Sequence, residues 1–346
     1  MNEQGELSFA RLGLIGAGVV LLIALVIMFL RRPDLEAVQY GYRGTGQVQL
    51  YDTKTMAKLG AANVIPVSLP SLGNGGPPAS AVYKNVQVLK GVSVANFTRL
   101  MASITTWVSP TQGCAYCHDT NDMASDSLYT KVVSRRMLQM VQHINSDWKQ
   151  HVAATGVTCY TCHRGQPVPA NIWFNNPGPA QAGGVAQAPN GKNHPALQAG
   201  VTSLPFDPFT PFLEQAANIR VEGTTPLPTG NLQSIKQTDW TYALMMHFSD
   251  ALGVNCTFCH ETRQFSDWSQ SSPQRVTAWY GIRMVRDLNN DYLDPLKSVF
   301  PAPRLGPEGD SPKVNCATCH NGVYKPLFGV SMVKDFPELA TTAPKP

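Results

Sequence analysis

The chain has 346 residues and a mass of 37.6 kDa, enough to bury a sizeable core, and its formal net charge of +4 is too small and too scattered for a nucleic-acid-binding protein. Only 14% of residues are charged, while 28 glycines and 27 prolines favour long packed loops over a large sheet.

Leu12 to Leu30 is a run of 19 uncharged residues between Arg11 and Arg31-Arg32-Pro33. At about 1.5 Å per residue it spans roughly the 30 Å of a bilayer core and is expected to be a transmembrane anchor. A signal peptide has a shorter apolar region and a small-residue cleavage pattern, neither of which is present here. Residues 31–92 carry turn signals at Gly41-Tyr42-Arg43-Gly44 and Gly73-Asn74-Gly75-Gly76-Pro77-Pro78 and read as an extended arm with little regular structure.

From Ser93, an N-cap, apolar residues Phe97, Leu100, Met101, Ile104 and Trp107 recur at helical spacing until Ser109-Pro110. A second helix is expected from about Ser127 to Ala153, with Val133, Met137, Met140, Ile144 and Trp148 on one stripe and Gly156 beyond it. Gly165 to Gly200 is rich in Pro, Gly, Ala, Gln and Asn and reads as irregular. A third helix is expected over Ile235 to Ala251, with Gly253 beyond it, and a fourth over Pro273 to Leu288, before Asn289-Asn290.

All eight cysteines fall in four copies of one pentapeptide: Cys114-Ala-Tyr-Cys117-His118, Cys159-Tyr-Thr-Cys162-His163, Cys256-Thr-Phe-Cys259-His260 and Cys316-Ala-Thr-Cys319-His320. Cys-x-x-Cys-His is the attachment site of haem c: two thiols add to the vinyl groups and the histidine becomes the proximal iron ligand. Disulfides or four-thiolate zinc sites leave the histidine unexplained. With 8 histidines in 346 residues, its occurrence after all four pairs by chance is roughly a one-in-a-few-million event. Four covalent haems c are therefore expected.

The motifs lie 45 residues apart in the first half and 60 in the second. We expect a mainly α fold with long irregular loops, in which two pseudo-twofold-related haem-pair halves follow one transmembrane helix. The expected divisions are 1–11, a cytoplasmic N-terminus; 12–30, the anchor; 31–92, the arm; 93–175, the first haem pair; 176–228, a connector; and 229–346, the second haem pair. Arg31-Arg32 after the helix argues by charge for a cytoplasmic haem domain. Haem c, however, is attached outside the bacterial inner membrane, and long domains translocate largely regardless of flanking charge. A single-pass inner-membrane protein with its haem domain in the periplasm is the expectation.

Besides the proximal residues only His143, His151, His194 and His247 remain, so four bis-histidine haems need every one, including His194 in the connector. Methionines on the preceding helices are the better candidates, and a His/Met pair raises the reduction potential. The alternative for each is ordinary core filling.

The chain resembles the tetrahaem cytochrome c subunit of the photosynthetic reaction centre of purple bacteria. The likeness runs from about Gly41 to Leu339 and rests on Gly41-Tyr42-Arg43-Gly44, Trp107-Val108-Ser109-Pro110, Gly156-Val157-Thr158, Ala243-Leu244-Met245-Met246, Trp279-Tyr280-Gly281-Ile282-Arg283-Met284-Val285-Arg286 and Lys325-Pro326-Leu327-Phe328-Gly329. The resemblance implies that Met101, Met137 and Met245 are the distal ligands of the first three haems. It implies that His151 and His320 hold the fourth as a bis-histidine haem, leaving Met140, Met246, Met284, His143, His194 and His247 to packing. Many members carry an N-terminal lipidated cysteine; this chain has no cysteine to spare, so the transmembrane helix is expected to replace that anchor.

The implied function is electron relay, without enzymatic turnover, in the photosynthetic membrane. Electrons pass from a soluble periplasmic cytochrome c or high-potential iron-sulfur protein to the photo-oxidised bacteriochlorophyll pair. The implied partners are the core subunits of L, M and, if present, H type, and light-harvesting antenna. Arg275, Arg283 and Arg286 are candidates for pairing with haem propionates or raising haem potentials, against a solvated helix face. A multihaem reductase needs an iron with an open site, and a membrane-anchored quinol-oxidising cytochrome needs mostly bis-histidine haems. The ligand inventory argues against both.

Overall fold

A computed structural model describes residues 3–30, 34–39, 48–73, 75–176, 178, 204–221 and 235–340. The chain is mainly helical, and most of its buried apolar side chains join one core.

Helix α1 (Glu3–Leu30) contains the apolar run, and none of Arg11–Leu30 is buried in the protein. A chain of this mean hydropathy with no protein partner matches the expected membrane anchor. The arm is more ordered than its composition suggests. Strands β1 (Leu35–Gln39) and β2 (Val48–Asp52) pair antiparallel, with Leu35 opposite Asp52. Helix α2 (Thr53–Ala62) follows, with Asp52 as N-cap accepting from Thr55 N at 2.7 Å, and α3 (Ala79–Val82) is a single turn. The expectation of little regular structure is thus corrected. The strands lack clean alternation, and their order comes from long-range partners: Gln49 Oε1, for example, accepts from Asn255 N at 2.8 Å. The turn at 41–44, His194 and most of the connector lie outside the described residues.

Helix α4 (Val94–Val108) starts at Ser93, whose hydroxyl accepts from Asn96 N, and stops at Ser109 before Pro110. The second expected helix is two helices. Helix α5 (Tyr129–Asp147) ends at Trp148, whose φ of −109° and ψ of 32° leave the helical region, and α6 (Lys149–Val152) is a separate turn. The cause is tertiary: the Trp148 indole N–H donates to Asp287 Oδ2 at 2.9 Å, 139 residues away. Helix α7 (Cys159–His163) carries the second motif, and a short strand β3 (Ile172–Trp173) pairs with β4 (Lys313–Val314).

A π-helical turn (Thr210–Glu214) precedes α8 (Ile235–Leu252) and α9 (Pro273–Asp287). A second π-helical turn (Leu288–Leu293) prolongs α9, and α10 (Cys316–His320) carries the fourth motif. The boundaries of α8 and α9 fall within a residue of expectation, as capping and proline signals are local.

Candidate haem-binding sites

The four motifs take two local conformations. The first and third form 3-10 turns (Gly113–Tyr116 and Cys256–Phe258), whereas the second and fourth form the α-helical turns α7 and α10. Both α-helical motifs begin with a capping box, in which Thr158 pairs with Thr161 and Asn315 with Thr318. Both end in the left-handed region, at Arg164 (φ 51°) and Asn321 (φ 49°). The residues two beyond each histidine then anchor back: Gly165 N donates to Trp107 O at 2.8 Å and Gly322 N to Ala251 O at 2.9 Å. At the other two motifs a hydroxyl from the next helix start closes the turn, Thr130 Oγ1 onto Tyr116 O and Ser272 Oγ onto Phe258 O.

Each motif histidine gives Nδ1 to a backbone carbonyl. His118 pairs with Met123 O at 3.0 Å and His260 with Phe265 O at 2.8 Å, both five residues on. His163 pairs with Gln166 O at 2.9 Å and His320 with Val323 O at 3.1 Å, both three residues on. A carbonyl acceptor fixes the proton on Nδ1 and leaves the Nε2 lone pair free, which is the arrangement an imidazole metal ligand requires. Burial lowers the pKa of His163 and His260 and brings His320 to about 4, so these rings are neutral at physiological pH.

His151 has the same arrangement, with Nδ1 on Thr277 O of α9 at 2.9 Å. Burial lowers its pKa as well. Its ring lies near that of His320, at a centroid separation of 6.0 Å and an interplanar angle of 69°. Two imidazoles sharing one metal ion, with each nitrogen about 2 Å from it, stand about 6 Å apart. The cleft around the pair is lined by apolar Phe248, Leu252, Ile282 and Val285 and by Cys316 and Cys319. Gly281 makes the approach of His151 feasible, since a Cβ there lies 2.6 Å from His151 Cε1.

All eight cysteines are free thiols, and among the described residues no group of three or more His, Cys, Asp or Glu converges as a metal cluster. Burial drives the thiols of Cys159 and Cys316 up to about 12 and Cys259 to about 11, keeping them uncharged, an environment suited to uncharged thioethers. Cys162 and Cys319 touch, their sulfurs 3.0 Å apart, and the hydrogen bond between them together with burial pushes Cys162 up. The residues present therefore fit covalent haem.

Met101 on α4, Met137 on α5 and Met245 on α8 are partly buried at the edge of the main core. Met140 and Met284 lie inside it, and Met246 packs beside Leu204 and Ala243. His143 has both ring nitrogens on carboxylates and none to offer a metal. His247 is buried edge-on against Phe209 at 4.6 Å, and burial, with His320 nearby, brings its pKa to about 4.

Arg275 sits over the Trp268 ring at 4.1 Å and donates to Asp267 O at 3.0 Å and Ser271 Oγ at 2.7 Å, beside the third motif. Arg286 donates Nε to Phe212 O at 3.0 Å, while Arg283 is exposed. A cation not singled out from the sequence is Arg164. It bonds Asn63 Oδ1 at 2.8 Å and Cys319 O at 3.3 Å, joining the arm to the second and fourth motifs. The left-handed position following His163 was its only local signal.

Residues 31–340 match the family profile described as photosynthetic reaction centre cytochrome C subunit. The chain is 56% identical to the photosynthetic reaction center cytochrome c subunit of Rubrivivax gelatinosus, an alignment covering 89% of this chain and 84% of that protein. It is 52% identical to the protein of the same name from Thermochromatium tepidum, over 94% of this chain and 80% of that one. It is 41% identical to that of Roseobacter denitrificans, over 94% and 91%.

Proposed function

Because the chain belongs to the family of photosynthetic reaction centre cytochrome c subunits, and so is an electron-transfer subunit associated with the reaction-centre core, we propose that its four motifs hold four haems c in series. The series carries electrons from a soluble periplasmic cytochrome c or high-potential iron-sulfur protein to the photo-oxidised bacteriochlorophyll pair. Bound haem c supplies one-electron ferric/ferrous chemistry.

The chain's residues then have separate tasks. The cysteine pairs tether, and His118, His163, His260 and His320 ligate through Nε2 because their Nδ1 protons are committed to carbonyls. Met101, Met137 and Met245 complete the first three sites, and His151 completes the fourth. The one all-imidazole site is set to a lower potential than the three with methionine. Four filled coordination shells leave no position for substrate, in keeping with an electron carrier. Arg275, held beside the third motif by Asp267 and Ser271, opposes positive charge there and raises that site's potential.

The observation that carries this reading is the recurrence of the Nδ1-to-carbonyl bond at all four motif histidines and at His151. A pseudo-twofold relating segments 93–175 and 229–346 is supported by the pairing of first with third and second with fourth motif conformations. It is further supported by the matched Gly165–Trp107 and Gly322–Ala251 bonds. The 3.0 Å contact of Cys162 and Cys319 supports the second and fourth sites as neighbours at that axis. The apolar α1 supports a single-pass inner-membrane anchor with the haem domain in the periplasm, beside L-, M- and H-type subunits and antenna.

The test is flash spectroscopy on native membranes with the donor pool reduced. Haem α-band bleaching that matches re-reduction of the bacteriochlorophyll pair is the expected result. A covalent haem protein that stays silent to light overturns the relay.

A further inference from the structure

The α5–α6 break puts a four-residue turn, too short to be stable alone, in charge of aiming His151. Its precision must come from partners. One end is held where His151 Nδ1 meets Thr277 O at 2.9 Å and the ring packs on Gly281. The other end is held ten residues further along α9, at Asp287. There one carboxylate oxygen receives the Trp148 indole N–H at 2.9 Å and lies 2.5 Å from His143 Nε2.

His143 is itself bridged, with Nδ1 2.8 Å from Asp147 Oδ2, the last residue of α5. Each ring nitrogen thus has a carboxylate partner, and the Trp148 indole N–H also lies 3.1 Å from Nε2, so these side chains form one knot. Its ring stacks on Tyr292 of the π-helical turn at 5.2 Å, and Arg136 lies over the same tyrosine at 5.8 Å. Asp291 also contacts Asp287. The groups facing His143 are therefore Asp147 on its own helix, Asp287 on α9, and Asp291 and Tyr292 on the π-helical turn, with Arg136 behind. Tyr292 reports this field: burial, then the Asp287 and Asp147 carboxylates, push its phenol up to about 12.

We propose that His143 is a positioning residue for electron transfer: bridging Asp147 and Asp287, it locks the α5–α6 break to the end of α9 and thereby fixes the distal ligand His151 on the fourth iron. The proposal rests on the assignment of His151 above. His143 lies at the start of the break and His151 at its far side, so the lock acts through the backbone of Trp148 and α6 rather than by contact with the site. It also joins the two halves, since α5 belongs to the first and α9 to the second.

The experiment uses intact reaction-centre complexes carrying His143→Ala or, separately, Trp148→Phe, which keeps one aromatic ring and removes the N–H together with the five-membered ring that bears it. Ferric EPR and a redox titration are read for all the haems. The expected result is that the bis-histidine low-spin signal loses intensity to a high-spin signal and its redox wave moves upward. The methionine-to-iron charge-transfer absorption of the other sites stays unchanged. If His143→Ala fails to accumulate, Trp148→Phe carries the test. An unchanged bis-histidine signal and wave overturns the proposal, as does an equal loss at every haem, which reports general stability. A wild-type complex with no bis-histidine signal overturns the ligand assignment, and the lock with it.

Discussion

At Gly281 the absence of a single carbon decides whether His151 reaches its place. A Cβ there lies 2.6 Å from His151 Cε1 and 2.9 Å from Nδ1, and α9 backbone cannot retreat without losing the Thr277 bond. Gly281→Ala is expected to cost about 1–3 kcal/mol, as overpacking does. It should also perturb the spectrum and midpoint of one haem, seen by comparing wild-type and variant titrations. At Asp126 the hydrogen bond from Arg135, 2.7 Å long, holds the carboxyl far below its ordinary value of 3.8. A depressed folded-state pKa gives stability that is present above the unfolded value and lost as pH falls below about 3.8. Asp126→Asn is expected to flatten the dependence of melting temperature on pH below about 4. Other groups then account for any slope that persists.

Among the elements, α4 is tied to the C-terminal segment through Arg99, which is buried under Phe336 at 4.2 Å. It bonds Asp335 O at 2.8 Å and Glu338 Oε1 at 3.2 Å. Removing one partner strands the other, so Arg99→Ala is expected to cost about 3–5 kcal/mol in a denaturant melt. Burial raises the Glu338 pKa despite Arg99. Glu338→Gln, which keeps an acceptor but leaves the buried guanidinium without its counter-charge, is expected to cost less, about 1–3 kcal/mol, because Asp335 O still accepts from Arg99. The start of α4 at Ser93 was legible because a cap and an apolar stripe lie within a few residues of each other. The break at Trp148 was not, because Trp148 continues the stripe and the group that pulls it out of the helix, Asp287, is distant in sequence. The arm hairpin and α2 were missed for the same reason: Tyr160 Oη on Val64 O and Arg164 on Ala62 O hold this stretch from the far side of the core. The haem motifs, by contrast, are complete within five residues, and this locality made the sites readable where the supports that aim them were not.

At the scale of the whole molecule, α1 stands apart, with none of its apolar span covered by the rest of the chain. Replacing residues 1–33 by a cleavable export signal is expected to release a soluble protein with unaltered haem midpoints, assayed by fractionation and redox titration. Altered midpoints would show that the anchor shapes the haem domain. The interior is joined where the second and fourth motifs meet at Cys162 and Cys319, and the end of α8 closes just as tightly on the fourth motif, where a Cβ on Gly253 lies 2.3 Å from Gly322 O. The contact between the Cys162 and Cys319 sulfurs also bears on how the protein is made. The two sulfurs belong to motifs 157 residues apart in sequence, so they come together only when the chain has folded, where both cysteines are half-buried. Loading is therefore expected to run ahead of closure, while the motifs are still apart. A chain stopped short of Cys256 is expected to stain already for two haems, making maturation a vectorial process that finishes before the fold does.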